Sequence, residues 1–516
     1  PWIGNRPTVL TEVSDELWRT EFDTRERLEL LAMNLVSQYV LENGDIAELT
    51  NNQLNLPRTK NQLRYVKVTL LKVLEQSVVN ETGALLDGLA GKFIEPGPSG
   101  APTRGRLDTL PTGRNFFSVD NRAIPSKAAW AIGQLSAQAL IERHLQEQGD
   151  YPRQLGLSVW GTATMRTGGD DIAQAFALMG LKPVWAVGST RVIDFEIVPC
   201  MLLGRPRVDV TLRVSGFFRD AFPNVMKLYD AAVLAIAEFD DPGDGNTIKN
   251  NIDSRVKQLR EQGLTELEAK RQASYRVFGS KPGAYGAGLQ GLIDERCWQD
   301  KSDLAEAYLN WGGYAYGSLP QDSDGIEAKG AYQNRLSQLD TVVQNQDNRE
   351  HDLLDSDDYY QFQGGMTNAV KVFGGQQPVI YHNDHSNPAK PQIRTLKEEL
   401  NRVIRSRVLN PKWITAMQQL GYKGAFEMAA SVDYLFAYDA TTDLIDDYQY
   451  QKVSDALVFD PVNQDFMQQH NPQALEEMAE RLLEATQRGL WQEPGDYVNQ
   501  LQDLLLSIDE QLEGAD

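Results

Sequence analysis

The chain has 516 residues, 41% hydrophobic and 24% charged, a balance typical of a globular protein with more than one domain. Aspartate and glutamate (72) exceed lysine and arginine (50), so the net charge of −22 disfavours binding to nucleic acid or anionic lipid. The best apolar run, residues 231–239, is far shorter than the roughly 20 residues of a membrane span, so no span is expected.

Two cysteines, Cys200 and Cys297, are present in the whole chain. This number excludes a disulfide framework, a CxxC redox pair and a cysteine-based zinc or iron–sulfur site. The chain opens at Pro1 without a methionine or a signal-peptide pattern. We therefore expect a cytoplasmic protein and interpret the sequence as part of a longer chain.

Residues 1–94 are predicted to be a helical segment that continues from a missing N-terminal half. Leucine and valine recur there at helical spacing, at positions 28, 31, 35 and 36 and again at 70, 71, 73 and 74. The next stretch, EPGPSGAP (95–102), is too rich in glycine and proline for a regular helix and is predicted to be a loop.

Short apolar runs then alternate with helical patterns. We predict strands at 155–160, 183–187, 192–198 and 208–214, and helices at 172–179 and 224–239. This alternation indicates a mostly parallel sheet covered on both faces. The turns after 160 and 214 lie at strand ends, where such sheets place ligand-contacting loops. We assign 95–245 to a linker and an α/β domain.

Residues 246–516 are predicted to be mainly helical, with helices at 253–276, 304–311, 396–408, 413–420, 426–436 and 472–489. The segments 279–300 and 341–395 are predicted to be long polar loops, which in a compact protein are more often functional than idle. The fold class is therefore multidomain α/β, with a helical N-terminal segment, a parallel-sheet layer domain and a helix-rich C-terminal region.

A glycine-rich segment follows residue 280. Gly286, Gly288 and Gly291 have the spacing GxGxxG, but residues 280–285 do not form a strand pattern, which disfavours a dinucleotide-binding fingerprint. The phosphate-loop spacing GxxxxGK[ST] is absent from the sequence, so ATP hydrolysis is expected of another chain. Because glycine lets the backbone approach a flat ligand closely, Gly286 and Gly288 are candidate ligand contacts.

The densest acidic stretch spans 347–358, with six carboxylates, one histidine and one arginine. In a helix, four of its residues would share one face and could bind a first-row transition ion through carboxylate and imidazole: Asp347, His351, Asp355 and Asp358. From composition alone, a solvated acidic face or a helix start is the commoner case. The interleaved amide and tyrosine side chains and the lone histidine favour the metal site.

His382 and His385 lie three residues apart with Asp384 between them. They could form a second metal-handling loop, although Asn383 and Pro388 also favour a plain turn.

Three arginines, Arg104, Arg106 and Arg114, flank LPTG (110–113) and are followed by Asn115. Guanidinium groups pair well with carboxylates, so these residues are candidates for holding an anionic ligand. The alternative is that they balance local acidic residues.

Several longer motifs are similar to those of one known family. They are LPTGRNFFSVD (110–120), WGT (160–162), MRTGGD (165–170), SGFFRDAFP (215–223), GSKPGAYGAG (279–288), the segment 344–360 and LNPKW (409–413). Together they resemble the C-terminal part of the large subunits of the CobN/magnesium-chelatase family, over about residues 1–490. PGPSGAPTR (96–104), MRTGG (165–169) and EHD (350–352) resemble the cobalt branch more closely.

The resemblance implies a cytoplasmic complex in which this chain binds a tetrapyrrole and the metal. Two smaller AAA+-type partners, CobS/CobT-like, would hydrolyse ATP with Mg²⁺. The implied reaction is ATP-dependent insertion of Co²⁺ into hydrogenobyrinic acid a,c-diamide in vitamin B12 biosynthesis. The alternatives are a magnesium-chelatase-type subunit, which inserts Mg²⁺ into protoporphyrin IX, and a non-catalytic tetrapyrrole-binding protein.

The resemblance also gives the candidate residues roles. Glu350 and His351 are the catalytic candidates, with Glu350 as general base. The transient metal ligands would be Asp347, His351, Asp355 and Asp358. The macrocycle contacts would be Arg104, Arg114, Asn115, Arg166, Gly286 and Gly288. A histidine at 351 fits cobalt, which accepts imidazole nitrogen, better than magnesium, which prefers oxygen.

Overall fold

A computed structural model of the chain describes residues 4–19, 21–50, 56–100, 102, 107–117, 119–241 and 243–513. The chain divides into two compact units, Pro1–Ser118 and Val119–Asp516. Among the described residues, no helix combines the length and apolar composition needed to cross a membrane.

The first unit is mainly helical, as the leucine and valine spacing predicts. Its helices are α1 (Thr8–Thr11), α2 (Glu21–Val36), α3 (Leu56–Tyr65) and α4 (Leu71–Leu89). A small core forms around Val40, Ile46, Leu49 and Leu63. After α4, two short strands, β1 (Pro96–Pro98) and β2 (Asn115–Phe117), pair in parallel across the glycine- and proline-rich stretch.

The second unit is built on a mixed sheet. The strands of this unit are β3 (Gln154–Val159), β4 (Leu181–Trp185), β5 (Val192–Ile197), β6 (Asp209–Val214), β7 (Val277–Gly279), β8 (Tyr314–Ala315), β9 (Ile326–Glu327), β10 (Thr341–Gln346), β11 (Val379–Asp384) and β12 (Gln392–Thr395). Eight of them form one sheet in the order β12-β11-β10-β3-β6-β7-β8-β9. The five from β11 to β7 are parallel, and the edge strands are antiparallel.

Helices make up most of the rest of the second unit. They are α5 (Lys127–Gln148), α6 (Gly161–Thr167), α7 (Asp170–Met179), α8 (Cys200–Leu203), α9 (Gly216–Ala221), α10 (Pro223–Glu238), α11 (Thr247–Glu261), α12 (Glu266–Ser274), α13 (Gln290–Asp294), α14 (Lys301–Gly312), α15 (Lys329–Leu336), α16 (Asp357–Tyr359), α17 (Gly365–Gly374), α18 (Leu396–Val403), α19 (Pro411–Gln419), α20 (Tyr422–Thr442), α21 (Asp447–Val453), α22 (Pro461–His470), α23 (Pro472–Gln487) and α24 (Tyr497–Glu513). The predicted multidomain α/β class is confirmed.

The sheet separates two hydrophobic cores. Val342 of β10 packs into a core with α14, α17 and α20, and its neighbour Val343 packs into a second core with α5, α7 and α10. This division follows from the strand period of two, which sends successive side chains to opposite faces. Polar residues further along β10 therefore also face opposite sides.

Three sequence predictions for this unit need correction. The strands predicted at 183–187 and 192–198 exist, but β4 and β5 form a separate antiparallel hairpin outside the main sheet. The segment 341–395 is not a structureless loop, because it contains β10, α16, α17, β11 and β12. The predicted boundary at 245/246 falls inside this unit, since strands from both sides of it join one sheet.

Candidate functional site

The order of the parallel strands creates a crevice between β3 and β10. From β3 the chain runs to β6 and β7 on one side, and it then returns to β10 and β11 on the other. In open α/β sheets, ligands bind outside the carboxyl ends of the strands at such a reversal point. Here β3 and β10 pair only from Leu155–Thr341 to Leu157–Val343. Beyond that register the two strands pair with their outer neighbours only, so the sheet opens at its carboxyl edge.

A bidentate ion pair spans this crevice. Arg166 lies in α6, directly after β3, and Asp347 directly follows β10. The Arg166 Nε and Nη2 atoms donate to the two carboxylate oxygens of Asp347 at 2.7 and 2.8 Å. The hydrogen bond to Asp347 raises the pKa of Arg166. The resemblance gave Arg166 a role as a macrocycle contact and Asp347 a role as a metal ligand, and the structure brings the two side chains together.

The loop after Asp347 presents Glu350 and His351 at the same edge. Glu350 is exposed and contributes negative potential at Arg166. The Gln346 side-chain amide donates to the His351 carbonyl at 2.5 Å, and the Tyr359 hydroxyl lies 3.3 Å from Nδ1 of the His351 ring. These contacts fix the backbone and ring of His351.

The segment 347–356 is not helical, so the predicted shared helix face does not form. Asp355 instead pairs with Arg407, whose Nη1 lies 3.0 Å from its Oδ1. Asp358 lies at the start of α16, where burial and the neighbouring Asp357 raise its pKa to about 6. Within the described residues, no three histidine, cysteine or acidic side chains are arranged to hold a metal ion. The roles of Asp347, His351, Asp355 and Asp358 as transient ligands stay predictions.

An aromatic cluster lines the site beneath the His351 loop. The Trp160 ring lies 4.8 Å from the Tyr359 ring and 5.9 Å from the Phe362 ring, measured between centroids. Tyr359 also contacts the rings of His351 and His382, each at 5.6 Å. Trp160 is only half-buried, and it leads from β3 into α6. Tyr359 and Phe362 are buried, so a flat apolar ligand could contact this cluster through the partly exposed ring of Trp160.

His382 and His385 are buried structural residues in this conformation. His382 in β11 is held between the Oε1 atoms of Gln363 and Gln346, at 2.9 and 3.2 Å. Burial lowers its pKa to about 4. The Nε2 atom of His385 lies 2.7 Å from the hydroxyl of Ser136 in α5. The two rings therefore contact different elements and do not form the second metal loop considered above.

The glycine-rich segment 280–288 is a fixed turn beside α9. One nitrogen of Arg219 donates to the carbonyls of Ser280, Lys281 and Ala284 at 3.1, 2.7 and 3.0 Å. A Cβ at Gly288 would lie 2.8 Å from Trp311, so this glycine is explained by packing. At Gly286 the atom nearest to a Cβ would be Oε1 of Gln361 at 3.8 Å, and the positive φ of +77° accounts for the glycine. The roles of Gly286 and Gly288 as ligand contacts stay predictions.

The predicted arginine cluster belongs to the first unit. Arg114 donates to the carbonyls of Pro111 and Thr109 at 3.0 and 3.2 Å, and Asn115 is exposed in β2. Arg104 and Arg106 lie outside the described residues. The roles of Arg104, Arg114 and Asn115 as macrocycle contacts stay predictions.

Sequence reasoning missed the residues that anchor the His351 loop. Arg349 donates to the buried Glu399 at 2.9 Å and also pairs with Asp384. Glu399 accepts a further bond from Arg402 at 2.5 Å. Arg349 stood out as the one cation in the acidic stretch, but its partners lie 35 and 50 residues away, and a single sequence does not reveal them.

Comparison with known proteins places this site in a family. The family model described as CobN/Magnesium Chelatase matches residues 3–498. The chain belongs to the CobN/magnesium-chelatase family. It is 57% identical over 510 residues to the aerobic cobaltochelatase subunit CobN of Pseudomonas aeruginosa, covering 99% of this chain and 40% of that protein. It is 32% identical over 438 residues to a magnesium-chelatase subunit of Chlorobaculum parvum, covering 84% and 33%.

A solved structure agrees with this family assignment. The catalytic subunit of cobaltochelatase from Mycobacterium tuberculosis superposes with a TM-score of 0.86 at 44% identity, covering 95% of this chain and 40% of that one. The chain thus spans about two fifths of the length of these cobaltochelatase relatives. The residues matched by the family model, 3–498, include those that form the crevice between β3 and β10.

Proposed function

We propose that this chain is part of the large subunit of an ATP-dependent cobaltochelatase and helps to insert Co²⁺ into hydrogenobyrinic acid a,c-diamide. The observation that supports the proposal most is the 57% identity to an aerobic cobaltochelatase subunit over 99% of the chain. Because the chain covers 40% of that relative, the activity is proposed for the full-length protein.

Metal insertion sets three chemical demands. The metal ion must lose water ligands, the ring nitrogens must lose protons, and the stiff macrocycle must bend. The exposed carboxylate of Glu350 is placed to accept a proton at the crevice edge. The imidazole of His351, positioned through Nδ1 by Tyr359, can offer Nε2 to an incoming metal ion. The half-buried Trp160 gives the macrocycle an aromatic contact.

Cobalt is favoured over magnesium as the metal substrate. His351 supplies a nitrogen ligand at the candidate site, and divalent cobalt binds imidazole more readily than magnesium does. The identity to the cobalt-branch relative, 57%, also exceeds the 32% to the magnesium-branch relative.

Energy for the reaction is proposed to come from partner subunits. The sequence has no GxxxxGK[ST] phosphate loop, so AAA+-type ATPases of the CobS/CobT kind would bind ATP and Mg²⁺. Their conformational cycle would supply the movement that bends the macrocycle.

The proposal is tested by two substitutions in the full-length protein, mixed with its ATPase partners. Glu350→Gln should reduce cobalt insertion by about a hundredfold or more, because the amide keeps the shape but loses the basic oxygen. His351→Ala should instead raise the cobalt concentration needed for half-maximal rate, because it removes a ligand and keeps the base. Absorption spectroscopy of the metallated product gives both rates.

The exposed Glu261 at the end of α11 offers a matched control, and Glu261→Gln should insert cobalt at the wild-type rate. Normal turnover in Glu350→Gln would remove Glu350 as the base. Insertion of magnesium but not cobalt by the unsubstituted assembly would assign the protein to the magnesium branch.

A further inference from the structure

A polar cavity lies among the C-terminal helices of the second unit. Its volume is about 350 Å³, and it is lined by residues of α13, α20, α23 and the helical turn Tyr360–Gly364. This volume is at the lower end of the roughly 300–1,000 Å³ of small-molecule sites, so the cavity suits a ligand smaller than a tetrapyrrole. Tyr360 lines the cavity, whereas the preceding Tyr359 contacts Trp160 and His351 in the candidate site. The cavity and the crevice are therefore distinct.

Carboxylates outnumber cations in the lining of this cavity. The charged lining residues are four acids and two arginines, namely Asp294, Asp433, Glu477, Glu480, Arg296 and Arg481. Both arginines already have partners. Arg481 donates from Nε to Oδ1 of Asp433 at 2.6 Å, and Arg296 donates from Nη2 to a carboxylate oxygen of Glu480, also at 2.6 Å. In the described part of the chain, neither Asp294 nor Glu477 forms an ion pair. These two carboxylates are therefore left to attract a further cation.

The negative charge of these two groups is disfavoured where they lie. Asp294 and Glu477 are exposed residues, but their carboxyl groups are partly covered. This burial, together with the charge of Asp433, raises the pKa of both. Arg481 has the opposite effect on each without reversing the shift. Because the charged form of each acid is disfavoured, a cation bound between them would be held by relief of this repulsion.

A buried tyrosine in the lining gives independent support for a ligand. Tyr360 is 2% exposed, and among the residues that the structure describes its hydroxyl has no hydrogen-bond partner. Its ring lies 6.0 Å from that of Tyr434, which also lines the cavity. Three acids, Asp294, Asp357 and Asp433, act on the Tyr360 hydroxyl through their charge. A buried tyrosine hydroxyl usually has a partner, and here its oxygen can accept a hydrogen bond from an N–H group in the cavity.

The wall of the cavity already shows how this chain holds a guanidinium group. The guanidinium of Arg481 lies over the Phe436 ring, 4.8 Å from its centroid, and is paired with Asp433. An aromatic face and a carboxylate together hold the planar cation. Tyr360 and Tyr434 place two further rings beside the two remaining carboxylates. A metal ion is less suited, because within the described residues no three histidine, cysteine or acidic side chains are arranged to hold one.

We propose that this cavity binds an alkylguanidinium group. Asp294 and Glu477 accept hydrogen bonds from its N–H groups, the Tyr360 hydroxyl accepts another, and the Tyr434 ring lies against the planar cation. A free alkylguanidinium compound and an arginine side chain of a partner protein present the same group. The site is separate from the crevice, so this inference does not depend on the proposed function.

Calorimetric titration of the full-length protein with two small probes tests the site. n-Butylguanidinium chloride carries the proposed group, and n-butylurea has nearly the same shape without the charge. Butylguanidinium should bind saturably, and at least tenfold more tightly than butylurea, because the carboxylates favour the cation. Equal affinities for the two probes, or binding of neither, would overturn the proposal. A blocked Gly-Arg-Gly peptide that also binds would identify a partner's arginine as the source, and one that does not bind would identify a free compound.

Substitutions assign the binding to this cavity. Asp294→Asn/Glu477→Gln should weaken butylguanidinium binding at least tenfold, and Tyr360→Phe should weaken it by about threefold, because each removes acceptors for the ligand N–H groups. Glu261→Gln, at an exposed position in α11, is the matched control and should keep the wild-type affinity. Wild-type affinity in the double variant would overturn the proposal. The comparison of the two probes in the unsubstituted protein needs no variant, so it decides the matter even if a variant does not fold.

Discussion

Arg166 and Asp347 lie 181 residues apart in sequence, and their ion pair joins the ends of two strands. Both oxygens of Asp347 are engaged by one guanidinium, and the carboxylate is nearly inaccessible to solvent. The planar fork of arginine is suited to this geometry, and lysine is not. The pair spans the crevice where β3 and β10 separate.

Replacing Arg166 with Gln is expected to lower the free energy of unfolding by about 2 kcal/mol, because the buried carboxylate of Asp347 loses its charged partner. The double variant Arg166→Gln/Asp347→Asn should be less destabilised than the sum of the two single variants, because it leaves no unpaired charge. Denaturant titration of the four proteins measures this coupling. Strict additivity would show that the pair contributes no net interaction.

The candidate-site residues that the sequence predicts lie in a stretch of unusual amino-acid composition. Glu350, His351 and Asp347 were found because a single stretch holds six carboxylates and one histidine. Tyr359 and Glu399 were not found, because their roles come from contacts between distant elements. The helix-face argument for Asp355 and Asp358 was wrong, because ion pairs to arginine hold the stretch in a loop.

At the scale of elements, the glycine-rich turn 280–288 combines two different constraints. Gly283 and Gly288 both have positive φ, at +81° and +86°, but only Gly288 is crowded, by Trp311. Trp311 is held in place by its indole N–H, which donates to the carbonyl of Tyr285 at 3.0 Å. At Gly283 only the left-handed backbone disfavours a side chain, whereas at Gly288 a side chain would also clash with Trp311.

Gly283→Ala should cost about 1 kcal/mol in unfolding free energy, which is the backbone penalty of a left-handed residue. Gly288→Ala should cost about 3 kcal/mol, because the same penalty adds to overpacking against Trp311. Thermal unfolding of the two variants gives the comparison. Equal losses would mean that Trp311 moves aside at no cost.

The strands that the sequence predicts are those with apolar runs. β3 and β6 were found because they are buried on both faces between the two cores. β10 and β11 were missed because their carboxyl halves, QNQ and HND, carry the polar side chains of the site. Their composition predicts a loop. In the structure, however, the backbone N–H and C=O groups bond to neighbouring strands, and the side chains bond to polar partners.

At the scale of the molecule, the buried His382 makes the free energy of unfolding depend on pH. His382 has its pKa lowered from 6.5 to about 4 by burial, so the unfolded chain binds a proton that the folded chain does not. Its contribution is fully present above about pH 6.5 and is lost as the pH falls toward 4. Burial raises the pKa of Asp171 to about 7, and this has the opposite effect on stability. Because the folded chain holds this proton more tightly than the unfolded chain does, the contribution of Asp171 to the free energy of unfolding is lost as the pH rises toward 7.

The difference in unfolding free energy between wild type and His382→Gln gives the contribution of His382. Between pH 6.5 and 4 the wild type should lose about 3 kcal/mol more unfolding free energy than the variant does, since a pKa lowered from 6.5 to about 4 corresponds to that free energy. Denaturant titrations across this pH range supply the two curves. Parallel curves would show that His382 is protonated at no cost in the folded state.

The half-buried Trp160 has a practical consequence for experiments. Tetrapyrroles absorb strongly at the wavelengths where indole emits, and Trp160 stands beside the crevice, 4.8 Å from Tyr359. If the proposed macrocycle binds against Trp160, resonance energy transfer would quench the emission of this side chain, which is one of nine tryptophans in the chain. The part of the fluorescence change that is lost in a Trp160→Phe variant would then report occupancy of the crevice, and binding can be followed without an attached dye.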